Sequence, residues 1–135
     1  MPFDGIDSEL RYLADAVEVL REARAKLAEG WCQNYACIKL RRWQLLPFPR
    51  RMTSYRYCLV GAVLAIKSVQ PREGFALWRF LQATGITVPP GEIPTPYLTA
   101  WNDQPGRTQA EVVDLCDKAI ALAEEALRQQ TGIAG

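Results

Sequence analysis

The sequence predicts a mainly α fold, a compact bundle of about four to five helices around a buried central helix over 58–68, with a short β-hairpin in 33–57. Three observations carry this. Cys58 to Ile66 has no charged side chain and no proline, so as a helix it is apolar on every side and belongs inside; a bilayer crossing would need roughly 20 such residues. Two long stretches, opening at Ser8 and at Thr108, repeat apolar residues at helical spacing. Finally, 135 residues of 49% hydrophobic and 23% charged composition suffice to bury one core, which predicts a single domain over 1–135.

The first helix is expected from Ser8 to Glu29, with Leu10, Leu13, Val17, Leu20 and Leu27 on one stripe that Arg24 interrupts. Acids Asp7 and Glu9 at its start and Arg24 and Lys26 near its end suit the helix dipole, and Gly30 stands where a helix stops. Arg11 with Asp15 and Glu22 with Lys26 are spaced as i, i+4 pairs on the solvated face. Leu46-Pro47-Phe48-Pro49 breaks the next segment, and the weak alternation from Tyr35 to Leu40 is the hairpin signal.

The central helix is expected to be capped at Ser54 and stopped by Gln70-Pro71. Cys58, Gly61, Ala62 and Ala65 give it one face of small residues, which predicts close approach of another helix backbone. A third helix follows over Arg72 to Thr84, burying Phe75, Leu77, Trp78 and Leu81 and stopping at Gly85. Ile86 to Pro96 holds four of the nine prolines and must be an extended connection. Thr95-Pro96 can start a short helix through Trp101. Pro105-Gly106 fits a type II turn, and Thr108 with Glu111 forms a capping box opening the last helix, whose inner face is Val112, Cys116, Ala119, Ile120, Ala123 and Leu127.

Composition excludes much chemistry. Histidine is absent, which removes Ser-His-Asp and Cys-His catalysis and histidine-ligated metals. Neither of the usual glycine-rich phosphate loops occurs. Cysteines 32, 37, 58 and 116 form no CxxC and read as reduced, mostly buried thiols, so neither metal nor cofactor is expected. The acidic N-terminus lacks a leader pattern, which makes the cytoplasm the expected location and a membrane partner not expected.

One distribution is uneven. Between Gly30 and Arg72 the chain carries eight basic residues and no acid, leaving −7 on the remainder of a chain of formal charge +1. Six of the thirteen aromatics, Trp31, Tyr35, Trp43, Phe48, Tyr55 and Tyr57, lie in the same segment. A basic, aromatic segment either neutralises the acidic helices of its own fold or holds an anionic partner, single-stranded nucleic acid included. Lys39, Arg41, Arg42, Trp43, Arg50, Arg51 and Arg56 are its candidate surface residues.

The second candidate is the loop from Trp101 to Thr108. A hydrophobic residue at 107 would staple the following helix, yet Arg107 stands there. It serves either a pair with Asp103 or recognition of an anion beside the helix start.

Gly30-Trp31-Cys32-Gln33, Tyr57-Cys58-Leu59-Val60-Gly61-Ala62, Trp101-Asn102-Asp103 and Pro105-Gly106-Arg107-Thr108 with Glu111-Val112 together resemble a family of small bacterial and phage-associated proteins classed only as a domain of unknown function. The resemblance spans most of the chain. It implies a compact helical domain in which Gln33, Cys58, Asn102, Asp103 and Arg107 cluster, and it supplies no reaction.

Three functions follow from these residues. The first is a non-catalytic interaction module for a protein or anionic ligand, using 31–57 and 101–108, with Gln33, Cys58, Trp101, Asn102, Asp103 and Arg107 as binding residues. The second is nucleic-acid binding through the basic segment. The third is a histidine-independent enzyme with Cys58 as nucleophile at a helix N-terminus, where the dipole would lower the thiol pKa.

Overall fold

A computed structural model describes residues 4–41, 53–66 and 72–132. It is mainly α, with five helices and one two-stranded antiparallel sheet in the order α1 (Asp4–Glu29), β1 (Cys37–Arg41), β2 (Thr53–Tyr57), α2 (Leu59–Leu64), α3 (Arg72–Thr84), α4 (Thr95–Asn102) and α5 (Gln109–Thr131). The breaker at 46–49 and residues 67–68 of the expected central helix lie outside the described residues.

The two long helices pack most extensively on each other, and both pack on α3. They run antiparallel: Arg21 pairs with Glu124 at 2.6 Å, Arg24 with Asp117 at 2.6 Å, and Gln109 Nε2 donates to the carbonyls of Leu27 and Ala28. Arg24 therefore breaks its own apolar stripe because it reaches across to α5. The Asp117 carboxylate beside it, by hydrogen bond and charge, raises the guanidinium pKa further. Gln109 covers α1's last carbonyls, which have no partners within the helix.

Leu20, Leu27, Leu59, Val63, Phe80, Leu98, Val112 and Cys116 are fully buried in one shared core. On α3 the buried positions are Ala76, Leu77, Phe80 and Leu81. Trp78 is instead 46% exposed, and Phe75 is half-buried against Tyr12. The stripe is thus centred one residue away from the expected one, because Phe80 rather than Trp78 follows Ala76 at i+4. On α5, Leu115 joins the expected face, while Ile120 and Leu127 are only partly covered.

The central helix is shorter than expected and is not capped by Ser54, which lies in β2. The strand continues to Tyr57, and Cys58 becomes the cap: it is extended (φ −80°, ψ 173°) and its Sγ accepts from the Gly61 N–H at 3.2 Å. A thiol takes the place usually held by a hydroxyl. The small face also meets a different neighbour. A Cβ on Gly61 would lie 1.9 Å from the carbonyl oxygen of Ala36, in the turn before β1, so a loop backbone and not a helix fills the space.

Gly30 ends α1 by the same kind of contact. Its φ is not positive; a Cβ there would lie 2.7 Å from the Tyr55 carbonyl oxygen. The close approach lets Gly30 and Cys32 bond to both backbone groups of Tyr57, at 2.9 and 3.0 Å, so that Trp31 bridges to β2 in parallel.

Two local signals act as expected. Gly106 has φ 86° and the Arg107 N–H donates to the Gln104 carbonyl at 3.1 Å, closing the turn at Pro105-Gly106. The capping box is complete: Thr108 Oγ1 accepts from the Glu111 N–H at 3.2 Å and Glu111 Oε1 accepts from the Thr108 N–H at 3.0 Å. The Thr108 N–H and hydroxyl, both donating to this carboxylate and aided by Arg107, hold the Glu111 carboxyl below its usual pKa. Thr108→Ala is expected to cost about 1 kcal/mol. The check is hydrogen exchange in the first turn of α5, which should quicken; unchanged rates would mean the box does not form in solution.

Candidate functional site

The sharp end of α1, the turn at 33–36, the start of α2 and the end of α4 converge on one side chain. Asn102 is 0% exposed and is the buried polar residue among the described core positions. Its Oδ1 accepts from the Trp31 indole N–H at 2.8 Å and from the Leu59 N–H at 3.1 Å. Its Nδ2 donates to the Cys32 carbonyl at 3.1 Å and to Asp103 Oδ1 at 2.9 Å. Every polar atom of the amide is used, and the two acceptor bonds against two donor bonds fix its orientation. Leu59 is the first residue of α2, so Asn102 also satisfies a helix N–H that has no partner within the helix.

Around this amide the turn is tied at three further points. Gln33 Nε2 donates to the carbonyls of Asn102 at 3.0 Å and Gln104 at 2.9 Å. Asp103 Oδ1 accepts from the Asn34 N–H at 2.8 Å. Asn34 itself has φ 72°, the left-handed region, and among the described residues no other non-glycine does. Gln33, Cys58, Asn102 and Asp103 are thus brought together as the family resemblance implies. Trp31, Asn34, Leu59 and Gln104 complete the cluster without having been candidates. Trp31 stood inside the quoted Gly30-Trp31-Cys32-Gln33 motif, which was the signal; Asn34 and Gln104 carry none.

The chemistry of Cys58 differs from the nucleophile expectation. Its thiol sits at a helix start, but burial pushes its pKa up, and the opposing bonds from the Gly61 and Val60 N–H groups do not reverse this. Burial also raises Cys32 to about 11 and Cys116 to about 12. All four cysteines are free, and Cys37 is the exposed one. A thiol reagent near neutral pH is expected to modify Cys37 rapidly and the other three only under denaturing conditions. Rapid modification of Cys37→Ser would show Cys58 or Cys32 to be open and activated.

Arg107 does not pair with Asp103. Its guanidinium lies 3.8 Å over the Trp101 ring, its Nε donates to the Trp101 carbonyl at 3.0 Å, and its terminal nitrogens reach Glu111 at 3.0 Å and Gln104 at 2.7 Å. The side chain is 13% exposed. An arginine here does the work of the missing staple: its flat face covers Trp101 while its edge binds the loop. Arg107→Leu is therefore expected to lower stability by about 1–2 kcal/mol, through lost stacking and an uncovered carbonyl. A melting temperature equal to the parent's would return Arg107 to the role of a free anion-binding group.

Of the basic, aromatic surface, Arg42, Trp43, Arg50 and Arg51 lie outside the described residues. Lys39 is set opposite Tyr55 and Arg41 opposite Thr53 in the β1–β2 register, and Ile38 opposite Arg56. Arg56 is exposed, Tyr35 is 66% and Tyr55 47% exposed, and Tyr55 stacks on Tyr57 at 6.2 Å. Lys26 of α1 covers the Tyr57 ring from 5.5 Å. A groove of about 500 Å³ runs between the hairpin and the end of α1, lined by Trp31, Cys32, Gln33, Ile38, Arg56 and Gln109 among others. Among the described residues no group of three or more cysteine and carboxylate side chains is placed to hold a metal ion.

A model of a family of unknown function, DUF6197, matches residues 11–122. The chain belongs to that family. The DUF6197 match contains Trp31, Gln33, Cys58, Trp101, Asn102, Asp103 and Arg107 and most of the helical frame that holds them. No curated protein and no solved structure matches the chain. Among the described residues no helix is long and apolar enough to cross a membrane.

Proposed function

We propose that the protein is a non-catalytic binding module whose contact surface is the turn at 33–36 together with the hairpin, braced from behind by the 101–108 loop. The observation that carries this reading is the exposure of Tyr35 and Tyr55, 66% and 47%, on a segment whose backbone is fixed through Gln33, Asn34 and Asn102. Large aromatics held rigidly in solvent lose little entropy on binding and are the residues that dominate contact energies. The loop residues Asn102, Asp103 and Arg107 enter as supports, since the side chain of each bonds within the chain. Raised thiol pKa values speak for binding over cysteine catalysis.

The partner on this reading is a protein or another anionic ligand, supported by the eight basic residues and the absence of acids between Gly30 and Arg72. The setting is the cytoplasm of a bacterium or its phage and the acting unit a single domain, supported by the family resemblance, the free cysteines and the shared core. The test screens the full chain against arrayed peptides and single-stranded oligonucleotides. A ligand of the parent should be lost by Tyr35→Ala/Tyr55→Ala and kept by Trp78→Ala, which removes an exposed aromatic on α3. A ligand indifferent to both tyrosines would sink the assignment of the surface.

A further inference from the structure

We propose that the outer edge of β1 accepts an extended acidic segment of a partner protein as an added strand. This names the partner class for the contact surface described above and rests on that reading.

Tyr57 sets the pairing of the hairpin. Its N–H and C=O both point to Gly30 and Cys32, so its pairing with Cys37 across the hairpin is the non-hydrogen-bonded kind. Pair types alternate along an antiparallel ladder. Ile38 and Leu40 therefore bond to β2, and the N–H and C=O groups of Cys37, Lys39 and Arg41 face away from it. Among the described residues none of these three has a backbone partner outside the hairpin, whereas the Ala36 carbonyl just before them is taken by the Cys58 N–H at 3.1 Å. The other side of the sheet is closed by the bridge from Trp31 to Tyr57. Among the described residues, an open edge thus begins at Cys37 and runs to Arg41.

Charge selects what can pair there. Lys39 and Arg41 lie on the edge strand and the exposed Arg56 on its neighbour, within a segment that holds no acid. Basic residues on an edge strand repel most strands, which protects against aggregation. The same charges attract a strand rich in Asp and Glu, so a protected edge becomes a selective one. Alternate side chains of an added strand would fall beside Ile38, at the mouth of the 500 Å³ groove.

The test measures fluorescence anisotropy of a labelled peptide of alternating glutamate and valine with the full chain at low salt. Saturable binding is expected, with none for the lysine-for-glutamate peptide and weakening as salt rises. N-methylation of the peptide amides should weaken binding at least about tenfold, since it removes backbone donors and leaves every charge. Lys39→Pro should do the same from the protein side: it deletes an outward N–H and spares the bonds of Ile38 and Leu40 to β2. Equal binding of the methylated peptide would overturn strand addition while leaving the tyrosine surface intact. Failure of the acidic peptide to bind, beside an oligonucleotide that binds and depends on Tyr35 and Tyr55, would overturn the partner class instead.

Discussion

Gly61→Ala is expected to destabilise the protein, although the same exchange inside most helices stabilises by about 0.5–1 kcal/mol. The reversal has a specific cause. The new Cβ would fall 1.9 Å from the Ala36 carbonyl oxygen and 2.7 Å from its carbonyl carbon, distances that require the backbone to move. That carbonyl cannot move alone, because it accepts from the Cys58 N–H and precedes the strand that pairs with β2. Overpacking of this kind costs about 1–3 kcal/mol and sometimes more, and Gly61→Leu should exceed Gly61→Ala. Thermal melting decides: for a chain of this size each kcal/mol moves the midpoint by roughly 3–6 °C. A Gly61→Ala midpoint above the parent's would mean that the 33–36 turn does not rest on α2.

Asn102→Leu is expected to have the larger effect. Leucine fills a similar volume but strands the Trp31 indole N–H, the Leu59 N–H and the Cys32 carbonyl without partners, all inside or at the edge of the core. Each such group costs about 1–3 kcal/mol; because the losses overlap, a total of about 3–5 kcal/mol is expected. Asn102→Asp separates the polar role from the packing role. A carboxylate could still accept from Trp31 and Leu59, but its second oxygen would face the Cys32 carbonyl and the Asp103 carboxylate. Its folded pKa would therefore lie above the unfolded one, so the variant loses most stability at neutral pH and regains it as pH falls through the folded value, with recovery complete once the unfolded carboxylate value is passed. An Asn102→Asp penalty independent of pH would show that the carboxylate has turned out into water.

The parts of this fold that were legible in sequence are those whose signals are local. The bounds of α3, Arg72 to Thr84, and the start of α5 follow from a terminal glycine and a capping box, each complete within a few residues. The start of α2 was not legible, because Ser54 is the better cap in isolation and only strand pairing with 37–41 withdraws it. Thiol capping by Cys58 has no place among common cap residues. The small face of α2 announced a close neighbour but not its identity, since a turn at Ala36 and a crossing helix demand the same glycine. Arg107 showed a local inconsistency, and the reason was equally local: Trp101, six residues earlier, needed a flat lid. Asn102 gave only its membership of a motif; its four partners come from two distant parts of the chain and from its neighbour.

Those distances have a kinetic consequence. Trp31 and Leu59 lie 71 and 43 positions before Asn102, so the hub closes long loops whose entropic cost must be met before its bonds exist. The helices can form on their own local contacts, and the hairpin can pair once both strands are present. Seating of the 33–36 turn has to wait for α4 to be in place against α2. On a ribosome, the segment carrying Tyr35 and Tyr55 is therefore made early and fixed late, and the surface around these tyrosines does not take shape until Asn102 has emerged.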